Sequence, residues 1–205
     1  MPKIVLPYRF DPRPYQLDPM RAIVPRAFGH DEEGVKRAVM VWHRRCGKDK
    51  LSINLLTMLA TQRVGTHLYM SPEITQTRKI IWNGIGKDGM RFIDHIPPAL
   101  ISRKTESDMM IELINGSIIQ RGGADAYDRQ MGTNPLTLIF SEYSLMNATA
   151  WNYFRPILVE NGGTAIFIFT PRGHNHAYDL YKIAEEGMAK DPKYWYCSHL
   201  TIDQT

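Results

Sequence analysis

Two stretches constrain this chain more than any others: LTLIFSE, starting at Leu136, and TAIFIFTP, starting at Thr164. Each is a continuous apolar run, rich in β-branched and aromatic residues and too short for a buried helix. A strand that is apolar on both sides needs cover on both faces, which points to the interior of a parallel sheet with helices above and below. The rest of the chain supplies the covering layers. RAVMVWH (37–43) and THLYMSP (66–72) read as strands, the second stopped by proline. KLSINLLTMLATQ (50–62) places Leu51, Leu55, Met58 and Leu59 on one helical face. ITQTRKIIW (74–82) and NATAWNYFRPILVE (147–160) also read as helices, the latter bent or interrupted by Pro156. In DMMIELINGSIIQRGG (108–123), two apolar runs flank Asn115-Gly116, a strong hairpin signal. Met109, Met110 and the aromatic residues of NYF (152–154) read as core.

The chain has 205 residues, 43% of them hydrophobic and 22% charged, enough for one sizeable core and few for two. One compact domain is expected. The +4 formal charge, from 25 Lys+Arg against 21 Asp+Glu, permits nucleic-acid contact and equally fits an ordinary solvated surface. Cys46 and Cys197 form no C-x-x-C pair, which fits a reducing cytoplasm. The first residues, MPKIVLPYRFDPRPYQ, lack the pattern of a secretion leader, and no run of about 18 apolar residues occurs. Neither export nor membrane spanning is expected. The chain stops at LTIDQT in ordinary soluble composition, so it is expected to be the N-terminal part of a longer protein.

Chemistry enters at WHRRCGKDKLS (42–52), between the first strand and the first long helix. In a phosphate loop, backbone N–H groups converge on phosphate at a helix N-terminus and a lysine neutralises the β/γ oxygens. Gly47 and Lys48 supply the glycine and the lysine. In the pattern G-x-x-x-x-G-K-[ST], however, glycine would stand at Trp42 and a hydroxyl at Asp49. By itself the dipeptide fits a functional loop and an incidental one about equally. GIGKDG (84–89) has more glycine but follows a helix, where the electrostatics are unfavourable to anions, so it reads as a turn.

Two further strand ends add to the pattern. LTLIF runs into Ser141-Glu142, where a Walker B element would hold Mg²⁺ and polarise a water, although a lone glutamate there also fits a helix cap. TAIFIF runs into Thr170-Pro171-Arg172-Gly173, a polar turn at the edge where open α/β sheets bind ligands.

Together, RPYQ (13–16), WHRRCGKD, HLYMSPEITQTRKIIW, IFSEY and IFTPRG resemble, in this order, the motifs of the ATPase domain of phage terminase large subunits. These are the motors that package DNA into the heads of tailed bacteriophages. The resemblance covers nearly the whole chain. It implies an α/β P-loop NTPase of the additional-strand, catalytic-glutamate type, with a mostly parallel sheet flanked by helices and a small β-hairpin insertion. Several members similarly read S-E-Y for D-E and lack the first Walker A glycine.

The resemblance also implies roles. Gln16 would recognise adenine, with Tyr15 or Arg13 packing beside the base; Arg45, Cys46, Gly47, Lys48, Asp49 and Lys50 would line the nucleotide. Arg44 would reach the γ-phosphate in cis, Glu142 would polarise water, and Thr170 with Arg172 would couple hydrolysis to DNA movement. The family's trans arginine aligns with Met131 in Gln130-Met131-Gly132, so either Arg129 has taken that role or the finger is missing. Asp49 and Ser141 trade the usual hydroxyl and carboxylate, so that Asp49 would be a Mg²⁺ ligand and Ser141 its lighter partner. The implied partners are double-stranded DNA, portal protein, small terminase subunit and a homo-oligomeric ring on the procapsid, with no membrane. The implied location is the host cytoplasm, transiently at the procapsid portal. A nuclease activity is not expected from these residues. A helicase-type P-loop ATPase and an inert nucleotide-binding docking module are the alternatives. The first usually pairs two such domains; the second draws on the altered Mg²⁺ positions. His174 and His176 have no third ligand in the sequence and do not read as a metal site.

Overall fold

The computed structural model describes residues 4–130 and 132–205, with the side chain of Arg129 also outside the described set. Eight strands, β1 (Arg37–Trp42), β2 (Thr66–Ser71), β3 (Ile101–Thr105), β4 (Met110–Leu113), β5 (Ile118–Gly123), β6 (Pro135–Ser141), β7 (Thr164–Phe169) and β8 (Trp195–Leu200), form one sheet. Their order is β3-β4-β5-β2-β6-β7-β1-β8. From β5 to β8 every neighbouring pair is parallel; only β3/β4 and β4/β5 are antiparallel. The Asn115-Gly116 hairpin therefore extends one edge, and β3 lengthens it beyond what the sequence pattern indicated.

Five α-helices accompany the sheet: α1 (Pro14–Ile23), α2 (Lys48–Gln62), α3 (Ile74–Thr77), α4 (Thr149–Glu160) and α5 (His176–Lys190). α3 runs on into a π-helical turn, Arg78–Trp82, which accounts for the longer helix expected at 74–82. Pro156 sits inside α4 without ending it. α2 begins at Lys48, two residues before the helix expected at 50–62.

Alternation along each strand divides the interior in two. Ala38, Met40, Trp42, Tyr69, Ile139, Ile166 and Ile168 join the cluster that includes α1 and α2. Val39, Val41, Leu68, Met70, Leu138, Phe140, Phe167 and Phe169 join the other, with α4 and α5. All six residues of β1 and of β7 are buried, as strands covered on both faces must be. The second layer centres on aromatics. Phe140 of β6 stacks on Phe167 of β7 at 5.0 Å and 8°, and Tyr143 meets Phe167 edge-on at 4.8 Å. Phe140 and Phe167 are register partners in the β6/β7 ladder, so this packing fills the layer beneath the two strand ends that carry Glu142 and Thr170. Phe167→Ala should destabilise the chain by about 3–5 kcal/mol, from lost burial and a residual cavity; urea unfolding of both forms measures it.

Candidate functional site

The carboxyl ends of three neighbouring strands meet at one edge of the sheet. β1 leads into residues 43–47 and then α2; β6 leads into Glu142; β7 leads into Thr170. β7 lies between β1 and β6, so it is inserted between the lysine-bearing loop strand and the glutamate-bearing strand. Gly47 adopts φ +80°, the left-handed backbone that glycine accepts without penalty, and caps α2. Arg45 in the same loop takes φ +66° at a cost, which gives the loop its tight course.

Lys48, in the first turn of α2, is only 4% exposed. Its Nζ lies 3.3 Å from Glu142 Oε1 and donates to Thr170 Oγ1 at 3.2 Å. A buried ammonium needs such partners, because desolvating it alone is costly. Three residues singled out from separate motifs thus converge on one charge. Glu142 itself sits at φ +56°. The turn that imposes this is tied down by Ser144 Oγ donating to Thr170 O at 3.1 Å and by the His176 ring, whose Nε2 donates to Tyr143 O at 2.9 Å. Asn175, the N-cap of α5, accepts from Ala177 and Tyr178 N–H and donates to Ser144 O, so the Glu142 turn, the Thr170 turn and α5 are bonded together. His176 has a structural partner, and the His174 ring packs at a tilt against Tyr178. Arg172 is exposed, its carbonyl accepting from Asn175.

Asp49, next along α2, is held by two hydroxyls. Tyr69 OH donates to its Oδ1 at 2.7 Å and Ser141 Oγ donates to the same oxygen at 2.8 Å. The unusual pair Asp49 and Ser141 is therefore in direct contact. Tyr69 carried no signal of its own in the sequence. Burial foremost, and then the Asp49 charge, raise the Tyr69 phenol well above its ordinary range, so it remains a donor.

Tyr15 and Gln16 reach the loop rather than standing clear of it. Gln16 Nε2 donates to Cys46 O at 3.2 Å and to Gly47 O at 3.3 Å, while its Oε1 accepts from Arg13 N–H at 2.9 Å. Tyr15 OH donates to Cys46 O at 3.0 Å and accepts from Arg13 Nη1 at 2.6 Å. These bonds brace the loop from α1, a role the RPYQ motif alone did not disclose. Beside them a cavity of about 240 Å³ is lined by residues including Phe10, Arg13, Gln16, Gly47, Lys50 and His95. Lys50 is ion-paired with Asp88 of the GIGKDG turn, which thereby closes one wall. Cys46 is buried, its Sγ donating to His43 O at 2.9 Å, and burial pushes its thiol pKa up. Arg44 and Arg45 are exposed at the loop's outer side. The position proposed for a trans arginine falls on the Arg129 side chain and Met131, outside the described residues.

Bracing makes a prediction that base contact alone would not. Gln16→Leu should destabilise the nucleotide-free chain by about 1 kcal/mol, because the α1–loop bonds to Cys46 O and Gly47 O are lost and Arg13 N–H loses its acceptor, while Tyr15 OH and Leu51 N–H still donate to the two carbonyls. Chemical denaturation without nucleotide checks it.

No family model and no curated protein matches the sequence. Solved structures do. The large terminase ATPase domain of Thermus phage P74-26 superposes with a TM-score of 0.68 at 18% identity, over 95% of this chain and 83% of that one. The HK97 bacteriophage large terminase gives 0.67 at 15% identity, over 93% of this chain and 39% of that one. A large terminase from a thermophilic bacteriophage, in complex with ATP-gamma-S, gives 0.63 at 14% identity, over 93% of this chain and 45% of that one. The chain thus spans less than half of those two longer terminases. At these identities the likeness is one of fold, and it is the fold of phage large-terminase ATPase domains that this chain has.

Proposed function

We propose that the chain is the ATP-hydrolysing motor domain of a terminase large subunit, driving double-stranded viral DNA into a procapsid. The observation that carries this reading is the Lys48 ammonium held between Glu142 and Thr170. An incoming γ-phosphate competes with Glu142 for Lys48, and the released carboxylate is then placed to polarise a water for in-line attack. Thr170 shares the same lysine and is bonded through Ser144 to the Glu142 turn, so loss of the γ-phosphate is felt at the start of α5. The insertion of β7 between β1 and β6 supports the additional-strand, catalytic-glutamate class. In this reading Arg44 supplies a cis charge at the γ-phosphate, Arg129 a trans charge from a ring neighbour, and Arg172 acts with Thr170 in coupling. The cavity beside Gln16 and Gly47 takes the base, and Arg45, Cys46 and Lys50 complete its phosphate side.

The donor set fits Mg²⁺, which favours oxygen ligands and a balancing charge. Asp49 and Ser141, 2.8 Å apart through Oδ1 and Oγ, would hold it, the carboxylate contributing from the loop side and the hydroxyl from β6. When bound, Mg²⁺ neutralises charge on the β- and γ-phosphates. Partners in this reading are DNA, portal protein, small terminase subunit and further copies in a ring, with action in the host cytoplasm and transiently at the procapsid portal. Among the described residues no helix is long and apolar enough to cross a membrane.

Lys48→Ala should abolish ATP binding and hydrolysis together, whereas Glu142→Gln should retain binding and lose turnover, measured by calorimetry and phosphate release with DNA present. ATP binding that survives Lys48→Ala removes the loop assignment, and wild-type binding without any DNA-stimulated turnover leaves an inert docking module. For the metal pair, Asp49→Ser and Ser141→Asp should each lose Mg²⁺-dependent hydrolysis and the double variant should recover it. Simple additivity across that cycle would show that the two do not share an ion.

A further inference from the structure

Arg121 is a buried, unpaired cation among the described residues. It lies in β5 opposite Tyr69 of β2, is 1% exposed, and none of its three guanidinium nitrogens has a hydrogen-bond partner among the described residues. Burial pushes its pKa down only to about 10, so it remains charged at neutral pH. Among the described residues its compensation is aromatic. The guanidinium sits 5.7 Å from the Tyr69 ring centre and 5.6 Å from that of Trp82. A buried cation without a counter-ion costs more than two such contacts return, so a chain optimised only for stability would carry methionine or leucine here.

The compensation leads to the site. Tyr69, fully buried, is the ring on which Arg121 rests, and its hydroxyl is one of the two that occupy Asp49 Oδ1. A cation over the face of a phenol draws density from the ring and strengthens the O–H as a donor. Because Tyr69 and Ser141 both donate to Oδ1, Asp49 is left with Oδ2, which accepts no hydrogen bond among the described residues. Mg²⁺ keeps near-ideal octahedral geometry and is poorly served by a carboxylate that can rotate or offer both oxygens.

From this arrangement we infer that Tyr69 and Arg121 are positioning residues for Asp49: the Arg121-backed phenol locks one carboxylate oxygen and commits the other to a divalent cation arriving with the nucleotide. The inference rests on the nucleotide-motor reading above. It assigns the buried charge a purpose, since the stability lost at Arg121 is exchanged for order at Asp49, which Arg121 reaches through Tyr69 of the neighbouring strand β2.

The test is the ratio of ADP and ATP-gamma-S affinities in Mg²⁺ to those in EDTA, measured calorimetrically on the full chain. Tyr69→Phe should cut the Mg²⁺-dependent gain by about tenfold or more, the weight of a hydrogen bond to a charged group, while affinity in EDTA stays as in wild type. Arg121→Met should reduce the same ratio while its urea midpoint holds or rises, a combination a purely structural arginine would not produce. In an Asp49→Asn background, Tyr69→Phe should add nothing further. A wild-type ratio in Tyr69→Phe overturns the inference and leaves the motor reading standing. So does an Arg121→Met form that loses stability with the ratio intact. Absence of any nucleotide affinity in the wild type overturns both.

Discussion

The lysine at the start of α2 is the interaction around which the rest is arranged. A nearly buried ammonium is tolerable only with oxygen close by, and Glu142 and Thr170 provide it from two different strand ends. For that to happen, β1, β7 and β6 must lie side by side and parallel with their carboxyl ends level, which the sheet order and register deliver. The β6/β7 ladder holds those strand ends at a fixed separation, and the aromatic stack of Phe140 on Phe167, with Tyr143 at its edge, packs beneath them and anchors the Glu142 turn. Stability of the second core layer and geometry of the site are therefore the same problem.

Two of the positive-φ non-glycine residues lie at this centre. Arg45 and Glu142, neither a glycine, have positive φ, and they lie in the two turns that flank Lys48. Such backbone persists only where its surroundings over-determine it. The surroundings here are specific: Gln16 and Tyr15 brace the loop from α1, while Ser144, Asn175 and His176 bind the glutamate turn to β7 and α5. A change in what Lys48 touches has a short, hydrogen-bonded route to a 15-residue helix.

The altered residues of the loop gain a physical sense from their neighbours. Asp49 would be an isolated charge in a position that ordinarily carries a hydroxyl, yet two hydroxyls, from Tyr69 and Ser141, converge on one of its oxygens. Behind Tyr69 stands Arg121, unpartnered and stacked. The departure from the usual pattern is thus spread over four residues from α2, β2, β6 and β5, and no one of them is intelligible alone.

Much of this was legible in the sequence, because it is written in local chemistry. Apolar runs too short for helices marked β1, β2, β6 and β7; Asn115-Gly116 marked the hairpin; Gly47-Lys48, Ser141-Glu142 and Thr170 stood at strand ends in an order that resembled one family. α1, α5, β3 and β8 were not read. β3 and β8 are edge strands whose mixed burial gives no clean alternation, while α5 carried a usable signal in its Asn175 cap followed by Ala177, Leu180 and Ala184 on one face. Tertiary structure alone decided the rest. Tyr69 and Asp49 are 20 residues apart, Ser141 and Asp49 92, so their meeting depends on which strands become neighbours. Periodicity reports which face of an element is apolar, and says nothing about which element will lie against it. Strand order settled that, and with it turned Gln16 towards the loop carbonyls, Tyr69 towards Asp49, and Arg121 onto Tyr69.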